Sequence, residues 1–390
     1  MQERIFENNE EVATCINCIT GKTEEITFRN GSLTGIVEIE SNHDNFPFIG
    51  PGLIDLQING INGIDFNTPA LTVDDIKNAT DYLLSQGVTA FLPTIVTNSD
   101  ENILKIAHII YRACASNPLV DDCIWGIHLE GPFVSPQEGA KGAHNEKFIK
   151  APDWNLFKEF QRAAGGKIKL VTLAPEWKGS ESFIRNCKEN GILVSIGHSM
   201  ADTGQIRRAV EAGASLSTHL GNAVPLLLPR HPNMIWDQLA TEELHACIIA
   251  DGLHVPDSFI SVVMKNKAAK TLLTSDATCF AGMAPGEYQS HIGGTVILDE
   301  EKRVSLKGSN GLLAGAARSL LENVETLFDH DLTGICEAWQ MASTNVTEML
   351  KKKDHAFNSN SDFVIFRLKG KQIRIQRVIK RNKIVFENNF

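Results

Sequence analysis

Nowhere in the 390 residues does an apolar run approach the ~20 residues that cross a bilayer, so no membrane-spanning helix is expected. The opening MQERIFENNEEVATC has no apolar core behind basic residues, which argues against a secretory leader and for a cytoplasmic protein. An excess of positive charge is missing too. Against 37 Lys and Arg stand 47 Asp and Glu, a net charge of -10, and nucleic acid is therefore not an expected partner. The one dense basic stretch, KGKQIRIQRVIKRNK near the C-terminus, reads as alternating solvent-facing residues on strands. Cysteine is sparse: eight residues scattered along the chain make no disulfide framework and agree with a reducing compartment. Cys15 and Cys18 form a C-x-x-C, but no second pair follows at zinc-finger spacing, so a structural metal is not expected there. Internal repeats and low-complexity segments are absent as well.

What is present is ample apolar material, 43% of the chain, enough for one large domain and a small one. The middle alternates near-continuous apolar runs with amphipathic segments. The runs are LIDLQING (53–60), TAFLPTIVT (89–97), CIWGIHLEGPF (123–133), KLVTLAPE (169–176), ILVSIGHS (192–199), SLSTHLGNA (215–223), ACIIADGLHV (246–255) and TLLTSDAT (271–278). Eight strands buried on both faces, with helices between them, predict an α/β fold, a closed (β/α)₈ TIM-like barrel; an open doubly wound sheet is the alternative. Polar residues gather at the C-terminal end of nearly every run, as a barrel mouth requires. Both ends of the chain carry short, turn-punctuated strands, such as EEITFRNG and DFVIFRL, which predict a small β-sandwich built from both termini. The expected division is 1–49 with 356–390 for the small domain and 50–355 for the barrel. LLAGAARSLLENVETLF and CEAWQMASTNVTEMLKK read as helices covering the barrel, with Trp339 and Met341 in the core.

The stretch LVSIGHSMADTGQIRRAVEAGASLSTHLGNA organises the chemistry. His198 ends one apolar run and His219 the next, and the segment between has the polar start, apolar spacing and terminal Gly213 of a crossover helix. The two runs should be neighbouring parallel strands with both imidazoles at one rim. Either histidine alone would more simply cap its strand; together with Glu130 of GIHLEGPF they supply a carboxylate and two imidazoles, the open ligand set of a catalytic metal. Zinc, iron, manganese and cobalt all suit those donors. Asp276, at the end of the eighth run, is placed as general base and acid; as a turn residue in S-D-A-T it would merely cap a loop. Gln57, Asn59, His144 and His254 face the same mouth.

PGLIDLQINGINGIDFN, HLEGPF, GAHN, IGHS, THLGNA, ADGLHV, TSDAT, LLAG and ASTN, in this order, resemble the N-acetylglucosamine-6-phosphate deacetylases of the amidohydrolase superfamily over about 51–345. The resemblance implies hydrolysis of the acetamide of an N-acetyl amino sugar phosphate by a metal enzyme with Glu130, His198 and His219 as ligands and Asp276 as catalytic acid and base. It further implies that His144 and His254 contact substrate, that Asn222 and Ala223 line the sugar phosphate pocket, and that Arg230 reaches a phosphate in the partner subunit of a homodimer. Most amidohydrolases have His-x-His where this chain has Gln57-Ile58-Asn59; amides are poor zinc ligands, so a single divalent ion is expected. Gly221, Asn145, Asn233 and Ala316 depart from the residues usual in the family and alter the pocket wall. A different N-acyl or cyclic amide substrate, or a silent sugar-phosphate-binding barrel, are the rival readings.

Overall fold

The computed structural model describes residues 10–41, 45–290, 294–308, 313–350 and 362–388. The chain divides into two compact units, Met1–Ile54 with Asp81–Ala90 and Leu320–Phe390, and Asp55–Thr80 with Phe91–Ser319. The expected boundary at 355/356 falls outside the described residues.

All eight expected strands form, at Leu53–Ile58, Val88–Val96, Ile127–Glu130, Ile168–Leu173, Leu193–Ile196, Leu216–Ser217, His245–Ile248 and Thr271–Leu273, side by side in chain order in one sheet. Every residue of the first and third of these strands is buried, the mark of a sheet covered on both faces. The first and eighth strands meet just past their ends, through the Ile58–Ala277 bridge and the bond from the Asp276 amide to the Gln57 carbonyl. The sheet thereby comes round as a nearly closed parallel barrel, and it delivers the strand ends to one rim.

The stretch that carries His198 and His219 folds as its pattern predicts. Leu193–Ile196 and Leu216–Ser217 pair in parallel register, joined by a helix over Thr203–Ala212. That helix starts with a reciprocal cap, in which Asp202 accepts from the Gln205 amide and the Gln205 side chain accepts from the Asp202 amide. It stops at Gly213, whose φ of 129° suits a residue without Cβ. A three-stranded antiparallel sheet over Gly286–Gln289, Thr295–Leu298 and Val304–Leu306, with Phe280, Val296, Leu298 and Val304 in its own core, was not signalled by the sequence.

In the other unit the terminal strands make one sheet of seven that closes on itself, where two stacked layers were expected. Short strands suffice because Ile16 pairs in parallel with Phe48 and ends the ring without an open edge. Ala13, Cys15, Ile26, Phe28, Ile49, Phe363, Ile365 and Ile379 fill it. The basic C-terminal stretch is not uniformly solvent-facing. Arg377 and Lys380 are each 5% exposed, because Glu11 and Glu387 neutralise the first and Asp362 the second. The helix expected from Leu312 begins only at Leu320, and it belongs with the terminal strands, as do the helices Ile335–Met341 and Thr344–Met349. Trp339 is fully buried there, stacked on Phe366 at 4.2 Å and donating to the Pro51 carbonyl; Met341 is buried as well.

Candidate functional site

Glu130 is the last residue of the third barrel strand, and His198 and His219 each lie two residues past their strands. His198, His219 and Asp276 all take a positive φ, at 49°, 26° and 48°. That backbone is uncommon outside glycine, and it turns each side chain off the strand line where the surrounding structure over-determines the strain. Glu130 Oε1 lies 3.2 Å from His198 Nε2 and 3.1 Å from His219 Nε2, and the two nitrogens are 3.1 Å apart. Donors held ~2.1 Å from one tetrahedral ion are themselves ~3.4 Å apart, so this triangle is close to the size of a single coordination face. His198 Nδ1 donates to the Ala140 carbonyl at 3.0 Å, which leaves the Nε2 lone pair turned to the cluster. The residues fit a divalent ion on this chemistry. Burial alone would raise the Glu130 carboxyl, but the adjoining His198 and His219 imidazoles hold it well below the usual carboxylate range.

His144 joins the cluster from the loop after the third strand, with Nε2 3.3 Å from His198 Nε2 and Nδ1 2.6 Å from the Thr97 hydroxyl. Glu130, His144 and His198 also place one ligand atom each within 4.8 Å of one another. Two overlapping triads therefore share Glu130 and His198; the one with His219 is the tighter, with all three sides near 3.1 Å. Burial, and then the adjacent His198, push the His144 ring down to about 3, so it is neutral at physiological pH.

Across the mouth, the Gln57 amide donates to Glu130 Oε1 at 2.7 Å and to Asp276 Oδ1 at 3.0 Å, while the Asn59 amide donates to Asp276 Oδ1 at 2.7 Å. These two residues act as hydrogen-bond donors to the carboxylates. Burial, reinforced by the charge of Glu130 and opposed by His219 and His254, raises Asp276 to about 6. His254 is held by Asp251, whose Oδ2 lies 2.7 Å from Nδ1 and whose Oδ1 accepts the Leu253 and His254 amides. Asp251 is fully buried and was missed in the sequence, although its i, i+3 spacing to His254 in ADGLH was there to be read.

Below the rim runs a second unforeseen feature. Ser195, Thr218, Thr172 and His128 are linked in sequence by contacts of 2.6, 2.7 and 2.8 Å. Burial lowers the His128 ring to about 4, and this neutral layer underlies the strand ends that lead to Glu130, His198 and His219. Asn222 bonds back to the His219 carbonyl, and Ala223 follows with a φ of 49°. Arg230 is exposed on the next loop.

The four unusual residues have local reasons. A Cβ at Gly221 would come 2.9 Å from the Phe259 ring, which fills the space a larger side chain would need. Asn145 caps the short turn Glu146–Phe148, and Asn233 caps the helix Met234–Ala240. Ala316 is buried, and its carbonyl accepts both the amide and the hydroxyl of Thr278.

No family model matches the chain. An N-acetylglucosamine-6-phosphate deacetylase from Bacillus subtilis is 32% identical over 322 residues, covering 81% of this chain and 79% of the relative. The crystal structure of an N-acetylglucosamine-6-phosphate deacetylase from Thermotoga maritima superposes with a TM-score of 0.81 at 26% identity, over 96% of this chain and 99% of that one. A variant of the Mycobacterium smegmatis deacetylase, solved in complex with N-acetyl-D-glucosamine-6-phosphate, shares the fold with a TM-score of 0.83 at 22% identity, over 96% and 97%. With that identity and coverage the chain belongs to the N-acetylglucosamine-6-phosphate deacetylase family.

Proposed function

We propose that the protein hydrolyses the acetamide of N-acetylglucosamine 6-phosphate to acetate and the amino sugar phosphate. The observation that carries this reading is the triangle of Glu130, His198 and His219 with Asp276 tied to its carboxylate through the Gln57 amide. Those three side chains would hold one divalent ion, zinc by preference, with iron, manganese or cobalt suited to the same donors. Such an ion, when bound, supplies the Lewis acidity that polarises an acyl oxygen and eases loss of a proton from water. Gln57 and Asn59 spend their amide hydrogens on carboxylates, which supports a single ion.

Asp276 performs the proton transfers. Both amides bond Oδ1, so Oδ2 takes the proton of the attacking water and delivers it to the amide nitrogen as the C–N bond breaks. A carboxyl raised to about 6 can do both near neutrality. With the Thr97 hydroxyl donating to Nδ1, neutral His144 offers Nε2–H to the acetyl oxygen. His254, oriented by Asp251, contacts the sugar, while Asn222 and Ala223 line the phosphate pocket.

Arg230 completes that pocket in a second copy of the chain, its planar fork suiting a phosphate. Leu226 and Leu227, on the same loop, are 98% and 91% exposed, and apolar surface of this kind suits burial in a homodimer. No helix among the described residues is long and apolar enough to cross a membrane, and the eight cysteines are free, which supports a cytoplasmic protein.

Asp276→Asn should keep its metal by elemental analysis while acetate release falls at least 1,000-fold, by ~4 kcal/mol in barrier. Undiminished turnover would remove the role given to Asp276. Acetate release is to be screened over phosphorylated and unphosphorylated N-acetyl hexosamines; binding without release would favour a silent barrel, and release from another N-acyl compound alone a different substrate.

A further inference from the structure

We infer that Glu176 is a positioning residue for His198, a carboxylate clamp on the turn that carries this histidine, and that it thereby governs metal affinity at the barrel mouth. The inference rests on the reading of His198 as a metal ligand and extends it to a residue that acts through the backbone. Glu176 closes KLVTLAPE, the fourth apolar run, three residues past the strand Ile168–Leu173. Its Oε2 accepts from the Ser199 hydroxyl at 2.7 Å, and its Oε1 from the Met200 amide at 2.7 Å. The Ser199 oxygen in turn accepts the Ala201 amide at 2.9 Å. Both carboxylate oxygens therefore hold the two residues that directly follow His198. These donors lie 23 and 24 positions along the chain, so the contact joins two rim loops and is not local turn chemistry. Hydrogen bonds to a carboxylate are among the strong ones.

His198 needs such support because its φ of 49° is a backbone state that persists only where the surroundings over-determine it. Two restraints come from the loop after the third strand: the Ser135 amide donates to the His198 carbonyl at 2.8 Å, and the imidazole Nδ1 donates to the Ala140 carbonyl at 3.0 Å. Glu176 supplies the third, from the loop after the fourth strand. That loop is itself braced, by the Ala174 amide on the Phe133 carbonyl at 3.0 Å and by Trp177 Nε1 on the Val134 carbonyl at 2.9 Å. The clamp is thus a fixed post. The triangle it serves has sides of 3.1 to 3.2 Å, and a turn released at Ser199 and Met200 would let one corner of it drift.

The test titrates the zinc-loaded full-length protein with a chelating dye, so that the readout is zinc affinity and not turnover. Glu176→Ala should bind zinc about 10- to 100-fold more weakly. Ser199→Ala cuts one of the two bonds and should lose roughly 3- to 10-fold; it carries the test if Glu176→Ala does not fold. Glu176→Gln should stay within roughly threefold of wild type, because its amide oxygen can accept the Met200 amide while its nitrogen donates to the Ser199 hydroxyl. Ser180→Ala is the control, since it breaks the bond from the Ser180 hydroxyl to the Pro175 carbonyl in the same loop and leaves the clamp in place. It should keep wild-type affinity. Wild-type affinity in Glu176→Ala or, where that variant does not fold, in Ser199→Ala would overturn the proposal, as would an equal weakening in Ser180→Ala. Failure of the underlying reading shows separately, as undiminished zinc affinity in His198→Ala, and the clamp then falls with it.

Discussion

The imidazole of His254 can play its proposed part only if the right nitrogen bears the hydrogen, and Asp251 decides which one does. Its Oδ2 faces Nδ1 at 2.7 Å, and the ionised carboxylate can only accept, so Nδ1 is the protonated nitrogen and Nε2 keeps a free lone pair. Burial of Asp251 would raise its carboxyl, but the hydrogen bond from His254 outweighs this and keeps it below the ordinary range. Asp251→Asn is the informative change. The Leu253 and His254 amides can still bond the remaining oxygen, while the new amide nitrogen donates to Nδ1 and moves the hydrogen to Nε2. The expected outcome is a 10- to 100-fold loss in kcat/KM, with a thermal midpoint within a few degrees of wild type. Asp251→Ala should lose stability as well, because two buried amides lose their acceptor. A wild-type kcat/KM in the asparagine variant would show that the tautomer of His254 is irrelevant.

At the scale of elements, the strand ends explain both what the sequence made plain and what it concealed. Glu130, His198 and His219 were legible because each breaks off an apolar run, and a polar residue at such a place needs a partner. Asp276 and the eight barrel strands were legible for the same reason: a strand buried on both faces has little choice of composition. The Ser195, Thr218, Thr172 and His128 layer was not, since single hydroxyls inside apolar runs look like ordinary strand residues until four strands place them side by side. The strands of 286–306 escaped notice because they are short and largely half-exposed. The closed ring of terminal strands depends on one distant pairing that no local pattern announces. The crossover helix Thr203–Ala212 offers a test of this level. Asp202→Ala removes one half of its cap and should cost about 1 kcal/mol in denaturant unfolding, with metal content unchanged. A variant that loses metal with no loss of stability would tie the helix to the ligands in some other way.

Over the whole barrel, closure rests on a buried carboxyl as much as on backbone pairing. Asp55 of the first strand is fully buried and accepts hydrogen bonds from the Gln57 amide, from Thr274 and from the amide and hydroxyl of Ser275, which follow the eighth strand. Burial raises its carboxyl to about 6, with the Ser275 bonds opposing the rise. A carboxyl raised in the folded state binds a proton more tightly there than in the unfolded chain, so its contribution to stability is complete below about 4 and declines as pH rises through about 6. At most, the decline is ~3 kcal/mol, two units at 1.36 kcal/mol each. Other groups pull the opposite way; Glu130, held low, favours folding above the usual carboxylate pKa and loses that contribution in acid. The contribution of Asp55 is thus isolated by comparison with Asp55→Asn, in which the Ser275 hydroxyl can turn to accept from the new amide and donate to the Gln57 carbonyl it already approaches at 3.3 Å. Urea unfolding of both proteins at pH 4 and pH 7, with the metal content of each matched, should find the asparagine variant gaining up to ~3 kcal/mol on the wild type across that interval. A constant difference between the two would mean that the carboxyl stays ionised throughout, and that its four donors, not burial, govern the seam of the barrel.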